Sequence, residues 1–190
     1  MKDDQFGEVV EPAQVTYFES LRMPSFMVII LGLIIGVISG MLTGFALRDF
    51  IGKGPLIEGA GALIFYSVLS FVLLVLIFVF KNFFRLEINV DKNGFHFNYG
   101  VFSRSFSWVD LEYASVEKYN WKTYGGWGIR RSKKGRWAWS QLGVSNGVLI
   151  GMNKQGNLRE YYVSSDKPNI LADLLNQNIK SYGSLAKDEK

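Results

Sequence analysis

Two stretches of this chain run without a charge for longer than a bilayer's hydrocarbon core is thick: Ser25 to Leu47, 23 residues, and Gly59 to Phe80, 22 residues. About 20 apolar residues in a helix cross about 30 Å of hydrocarbon. Both stretches are therefore expected to be transmembrane helices. The first follows a segment, 1–24, that carries Asp3, Asp4, Glu8, Glu11 and Glu19. It also exceeds the apolar region of a signal peptide, so both helices are expected to be retained. Arg48 to Glu58, with Gly52, Gly54 and Pro55, is expected to be a turn outside the membrane.

Basic residues near membrane-spanning helices resist translocation. Arg22, Lys81, Arg85 and Lys92 flank one side of the hairpin, Arg48 and Lys53 the other. With two helices both termini share a side, so this bias predicts that the N-terminal segment and the domain after the hairpin are both cytoplasmic. Gly32, Gly36, Gly40 and Gly44 fall on one stripe of the first helix, a pattern that permits close backbone contact. The contact is expected either against the second helix, at Gly59, Ala62, Ser67 and Ser70, or between copies in an oligomer. Neither span holds an ionisable residue, and such residues usually mark ion paths or proton relays, so a channel or pump is not expected.

Beyond Lys81 the pattern becomes alternating, and a domain over 81–183 follows, with a polar tail at 184–190. Leu86, Ile88 and Val90, then Phe95, Phe97 and Tyr99, predict two strands joined at Asn93-Gly94 by a type I′ turn. Further strands are predicted over 102–108, 111–121, 136–142, 144–152 and 158–163, with the last turn at Lys154-Gln155-Gly156-Asn157. Ser165-Asp166-Lys167-Pro168 signals a helix start. Ile170, Leu171, Leu174, Leu175 and Ile179 then recur at helical spacing. The expected fold class is an α+β membrane protein: a two-helix hairpin followed by a seven-stranded bent sheet or barrel capped by a C-terminal helix.

This order of elements resembles the pleckstrin-homology-like domains of bacterial membrane proteins that carry a helical hairpin. Gly126-Trp127-Gly128-Ile129-Arg130, Gly135, Trp137-Ala138-Trp139, Gly143, Gly147-Val148 and Lys167-Pro168 look like the signature of one uncharacterised bacterial group. The resemblance implies the fold and a bacterial inner-membrane location, and no reaction. It departs from phosphoinositide-binding relatives at the first strand connection, Asp91-Lys92-Asn93-Gly94, which offers a single lysine.

Charge is strongly polarised. From Lys118 to Arg159, 42 residues contain nine Lys or Arg and no Asp or Glu, whereas the rest of the chain holds 12 basic and 17 acidic residues. Trp121, Trp127, Trp137 and Trp139 lie within the same stretch, and Trp108 just before it. Tryptophan suits the headgroup layer, and each basic residue near an anionic leaflet gains about 1 kcal/mol. Tethering to the second helix makes weak contacts effective. Arg130, Arg131, Lys133, Lys134 and Arg136 are the candidate electrostatic contacts, with Trp127 and Trp137 or Trp139 as apolar anchors. Three roles stay open for the segment: tryptophans filling a barrel under a solvated hairpin, anionic headgroup contact, or an acidic membrane-protein partner. Interleaved Arg and Trp also bind nucleic acid, but the juxtamembrane position and the lack of a recognition motif disfavour it.

The chain contains no Cys and one His, His96, which excludes thiolate metal sites, disulfides, a cysteine nucleophile and any system needing two imidazoles. His96 is expected on the polar face of its strand. The glycine-rich run from Tyr124 to Arg131 lacks the Gly-Lys-Ser/Thr ending of a P-loop. Glu87, Asp91, Asp110, Glu112, Glu117, Glu160, Asp166 and Asp173 form no recognisable acid–base or metal motif. The sequence thus predicts a non-enzymatic membrane-anchored module without metal or cofactor. A membrane enzyme with a non-local carboxylate site is the alternative.

Overall fold

The structure, a computed structural model, describes residues 16–52, 59–154 and 156–188. It is a mixed α+β architecture: two long apolar helices, two β-sheets and a C-terminal helix. The helices are α1 (Ser25–Phe50) and α2 (Ala60–Phe83), both long and apolar enough to cross a membrane. No residue of either apolar window is buried within the chain. They meet along a face of α1 that includes the half-buried Leu31, Ile35, Ile38, Leu42 and Phe45, with the Phe45 ring 5.7 Å from that of Phe65. The expected turn at 48–58 lies partly outside the described residues, and its first residues, 48–50, extend α1.

The segment 1–24 was expected to be merely acidic, but its end is a strand, β1 (Tyr17–Arg22). Residues 1–15 lie outside the described ones. β1 pairs antiparallel with β2 (Arg85–Asp91), from Tyr17 opposite Val90 to Arg22 opposite Arg85. The helical hairpin is therefore an insertion between two paired strands, not an appendage before a domain. Met23 N–H donates to the Phe84 carbonyl at 2.8 Å, so the ladder continues to the helix ends. Leu21 explains the pairing: it is 2% exposed and sits opposite Leu86, which is fully buried.

β3 (Gly94–Tyr99) and β4 (Phe102–Ser107) complete a sheet of order β1-β2-β3-β4. The residues between β2 and β3 are Lys92 and Asn93, not the expected Asn93-Gly94, because Asp91 faces Gly94 across the ladder. The Asp91 carboxylate accepts from the N–H groups of Asn93 (2.7 Å) and Gly94 (3.2 Å) and so closes the turn. Gly94 is needed for another reason: a Cβ there would stand 1.9 Å from the Phe106 carbonyl oxygen.

The second sheet holds β5 (Leu111–Lys118), β6 (Gly128–Arg131), β7 (Trp137–Ser140), β8 (Asn146–Lys154) and β9 (Asn157–Ser164) in the order β5-β8-β9-β7-β6. A short helix, α3 (Trp121–Tyr124), lies in the β5–β6 connection. The described strands thus number nine rather than seven, and they form two sheets rather than a closed barrel. The two additions are β1 and β6. β6 occupies the run expected to be a turn, and Gly128 to Arg131 pair with Ser140 to Trp137.

Aromatic rings interlock between the sheets: Phe97 against Trp139 at 4.9 Å and Phe106 against Tyr161 at 4.8 Å. Helix α4 (Pro168–Asp188) covers this core with the buried Leu171 and Leu175 and continues beyond the expected boundary at residue 183. Its Asn176 side chain bonds both the N–H and the carbonyl of Ala114, satisfying part of the open edge of β5. Near its other end, Tyr182 donates to the Lys92 carbonyl and stacks on Trp108 at 5.8 Å.

Candidate functional site

The domain has two distinct ends. At one end the chain enters and leaves the helical hairpin, and several contacts lock the two parts together. The Asn82 side chain donates to the Phe78 carbonyl (2.8 Å) and accepts from the Val101 N–H (3.0 Å), tying α2 to the β3–β4 turn. Gly100 leaves room for it, since a Cβ there would meet Asn82 Oδ1 at 2.5 Å. The Phe83 ring packs on Tyr99 and Phe102 at 5.2 and 5.7 Å. Tyr99 in turn donates to the Ser140 carbonyl (2.9 Å) and lies 2.8 Å from Gln141 Oε1, linking the two sheets. Burial pushes its hydroxyl pKa far above the ordinary value, so it stays a neutral donor.

Between the helix ends and the second sheet lies a cleft of about 430 Å³. Met23, Met27, Val79 and Phe83 form its helical side, and Trp127 to Arg130, with Ser140 to Leu142, its domain side. Trp127 is 48% exposed. Arg130 is exposed, and its Nε–H donates to the Trp127 carbonyl at 3.0 Å. No carboxylate among the described residues pairs with it. The β5–β6 connection that brings Trp127 here is held by α3, where Asn120 accepts from the Lys122 N–H, and by the Tyr119 hydroxyl donating to the Gly126 carbonyl.

The other candidate residues do not share this site. β6 and β7 run away from the helices, because Gly128 lies beside Phe83 while Arg131 faces Trp137 at the opposite end of their ladder. At about 3.3 Å per residue, Arg131 lies about 10 Å further along the strand than Gly128. Exposed Lys133 and Lys134 occupy the turn beyond it. Arg131 lies over the half-buried Trp137 ring, 5.7 Å from its centroid.

Two expected contacts are engaged within the domain instead, one in its core and one in an ion pair. Trp139 is 3% exposed and packs in the core, stacked at 6.0 Å on Tyr99, so it cannot anchor a ligand. Arg136 is held by Glu160, Nη2 to Oε1 at 3.0 Å, and approaches Glu117 at 3.9 Å. Burial works against ionisation of Glu160, but bonds from Tyr113 and Arg136 outweigh it and keep its pKa below the ordinary value. Arg136 is therefore a structural cation.

Gly32, Gly36, Gly40 and Gly44 are also misplaced by the expectation that they pack on α2. All four are exposed, and a Cβ on any of them would find no atom within 4 Å, since the leucine, isoleucine and phenylalanine positions make the contact. His96 takes its expected polar place, with Nε2 at 3.4 Å from Asp91 Oδ1. The residues that sequence reasoning missed are Met23, Met27, Val79 and Phe83, which carry no mark distinguishing them from the rest of the apolar runs. No known protein family, characterised protein or solved structure matches this chain.

Proposed function

We propose that this protein is a membrane-anchored, non-enzymatic module of pleckstrin-homology-like type that binds anionic phospholipid headgroups where its domain meets the bilayer. One observation carries the reading: Trp127 and Arg130, which has no ion-pair partner among the described residues, flank the cleft at the end of the domain from which the two apolar helices emerge. An indole at headgroup depth beside a guanidinium free to meet phosphate is an arrangement for a lipid surface. The helices would span a bacterial inner membrane, with the domain and both termini cytoplasmic, as the Lys and Arg bias favours. Among the described residues, the carboxylates that contact basic groups, Glu87, Asp91, Glu117 and Glu160, pair within the two sheets, and the proposal assigns no reaction to the domain. Its role would be that of a scaffold or sensor at the membrane surface.

The test is purification of the full-length protein from its native membrane in mild detergent, with bound lipids and proteins both identified by mass spectrometry. Enrichment of anionic over zwitterionic lipid, lost in Arg130→Gln and Trp127→Ala, is the expected result. Equal lipid profiles for wild type and both variants would refute the headgroup reading.

The far tip favours a second activity. Arg131, Lys133 and Lys134 are exposed, at and beyond the end of β6 that lies away from Gly128 and Phe83. Such residues suit an acidic patch on a membrane-protein partner, making the chain an accessory subunit. A stoichiometric partner released by charge reversal at Lys133 and Lys134 would establish this role.

A further inference from the structure

We infer that the cleft between the helix ends and β6 accommodates one acyl chain of an anionic phospholipid whose phosphate is held by Arg130. This inference rests on the headgroup reading above and adds a chain-binding groove to it. The walls differ sharply in chemistry. Met27, in the first turn of α1, and Val79 and Phe83, near the end of α2, continue the apolar surface of the spans directly into the groove. Ile129 and Leu142 extend that surface onto the domain, and Arg130 lies on the same wall. Lipid is the medium around α1 and α2 if they span, so the occupant closest to hand is an acyl chain.

Arg130 is built to hold a phosphate there. Its Nε–H is committed to the Trp127 carbonyl, which fixes the plane of the guanidinium and leaves both Nη groups without a hydrogen-bond or ion-pair partner among the described residues. Gly126, next to Trp127, has a φ of 129°, a backbone conformation that disfavours a side chain, and the Arg130 guanidinium lies alongside it. A planar guanidinium whose Nη1–Nη2 edge is free meets two phosphate oxygens in a bidentate way. One lipid could thus satisfy the apolar groove and the unpaired cation together.

The experiment uses the full-length protein in phosphatidylcholine vesicles doped with phosphatidylglycerol carrying a photoactivatable diazirine, placed midway along one acyl chain or, in a second probe, on the headgroup. The chain probe is expected to label domain residues 126–130 and 140–142 as well as the helices. Arg130→Gln should lower domain labelling about fivefold, the equivalent of about 1 kcal/mol for one cation at an anionic surface. Met27→Trp, which fills the groove from the helical side, should abolish domain labelling by the chain probe and spare labelling by the headgroup probe. Chain adducts confined to the helices, with headgroup adducts still found at Trp127 and Arg130, would overturn the groove and leave the headgroup reading standing. Absence of domain adducts from both probes would overturn both. Domain labelling by the chain probe that persists at full strength in Met27→Trp would also overturn the groove.

Discussion

If β1 is a strand of the first sheet, truncating Leu21 must destabilise a domain whose other strands all lie beyond the helical hairpin. Leu21 is 2% exposed and faces the fully buried Leu86, so Leu21→Ala removes three carbons from a packed site and leaves a void. Buried Leu→Ala changes cost about 2–5 kcal/mol. For a domain of this size each kcal/mol lowers Tm by about 3–5 °C, so a fall of roughly 10 °C is expected. Unfolding of the full-length protein in mild detergent can be followed by tryptophan fluorescence, because Trp139 reports the core to which Leu21 belongs. Leu33→Ala, at a position 64% exposed on α1, is the control and should leave the domain transition unmoved. A Leu21→Ala shift below about 1 °C would refute the pairing of β1 with β2, and with it the view that the hairpin is inserted into the sheet.

Three further outcomes are expected. Because Arg22 and Arg85 are direct partners, joining them through Asn-Gly in place of residues 23–84 should yield a soluble, folded domain, whereas a chain beginning at Lys81 should not give a cooperative transition; circular dichroism and thermal melting distinguish the two. Gly147→Ala should cost about 1–3 kcal/mol, since its Cβ would stand 2.2 Å from the Val163 carbonyl oxygen, while Gly36→Ala, with nothing within 4 Å, should leave the melting of the domain unchanged. Glu160 has a folded pKa below its ordinary 4.5, so its pair with Arg136 contributes stability that is fully present above that value and is lost as pH falls through the lower, folded pKa; Arg136→Gln should therefore flatten the acid limb of a stability–pH profile.

The helical hairpin grows from a β-ladder, and this has a mechanical consequence for any membrane role. The two connections, Met23-Pro24 and Phe84, are short, and Asn82, Phe83 and the Met23–Phe84 bond lock them. A change in the tilt or separation of the helices would act directly on β1 and β2. A single flexible tether would not transmit it.

The sequence by itself determined whatever rests on local periodicity. The apolar runs became α1 and α2, the alternation from Leu86 to Tyr99 became β2 and β3, and the Leu171–Leu175 spacing became the buried face of α4. Where the Arg and Trp residues of the basic segment come to lie was legible only in part. Trp127 and Arg130 line the cleft, whereas Trp139 sits in the core and Arg136 pairs with Glu160; by sequence the four look alike, because burial and pairing depend on which strand a residue faces and not on its own type. β1 escaped notice because its partner lies more than sixty residues away, and a six-residue strand with one fully buried side chain has almost no pattern of its own. β6 was hidden by glycines that suit a turn equally well. The tertiary structure also decided the two ends of the basic run: antiparallel pairing of β6 with β7 sends Arg131, Lys133 and Lys134 away from the helices and keeps Arg130 beside them. Charge is read along the chain, whereas a site is made where strands that are distant in the chain terminate together.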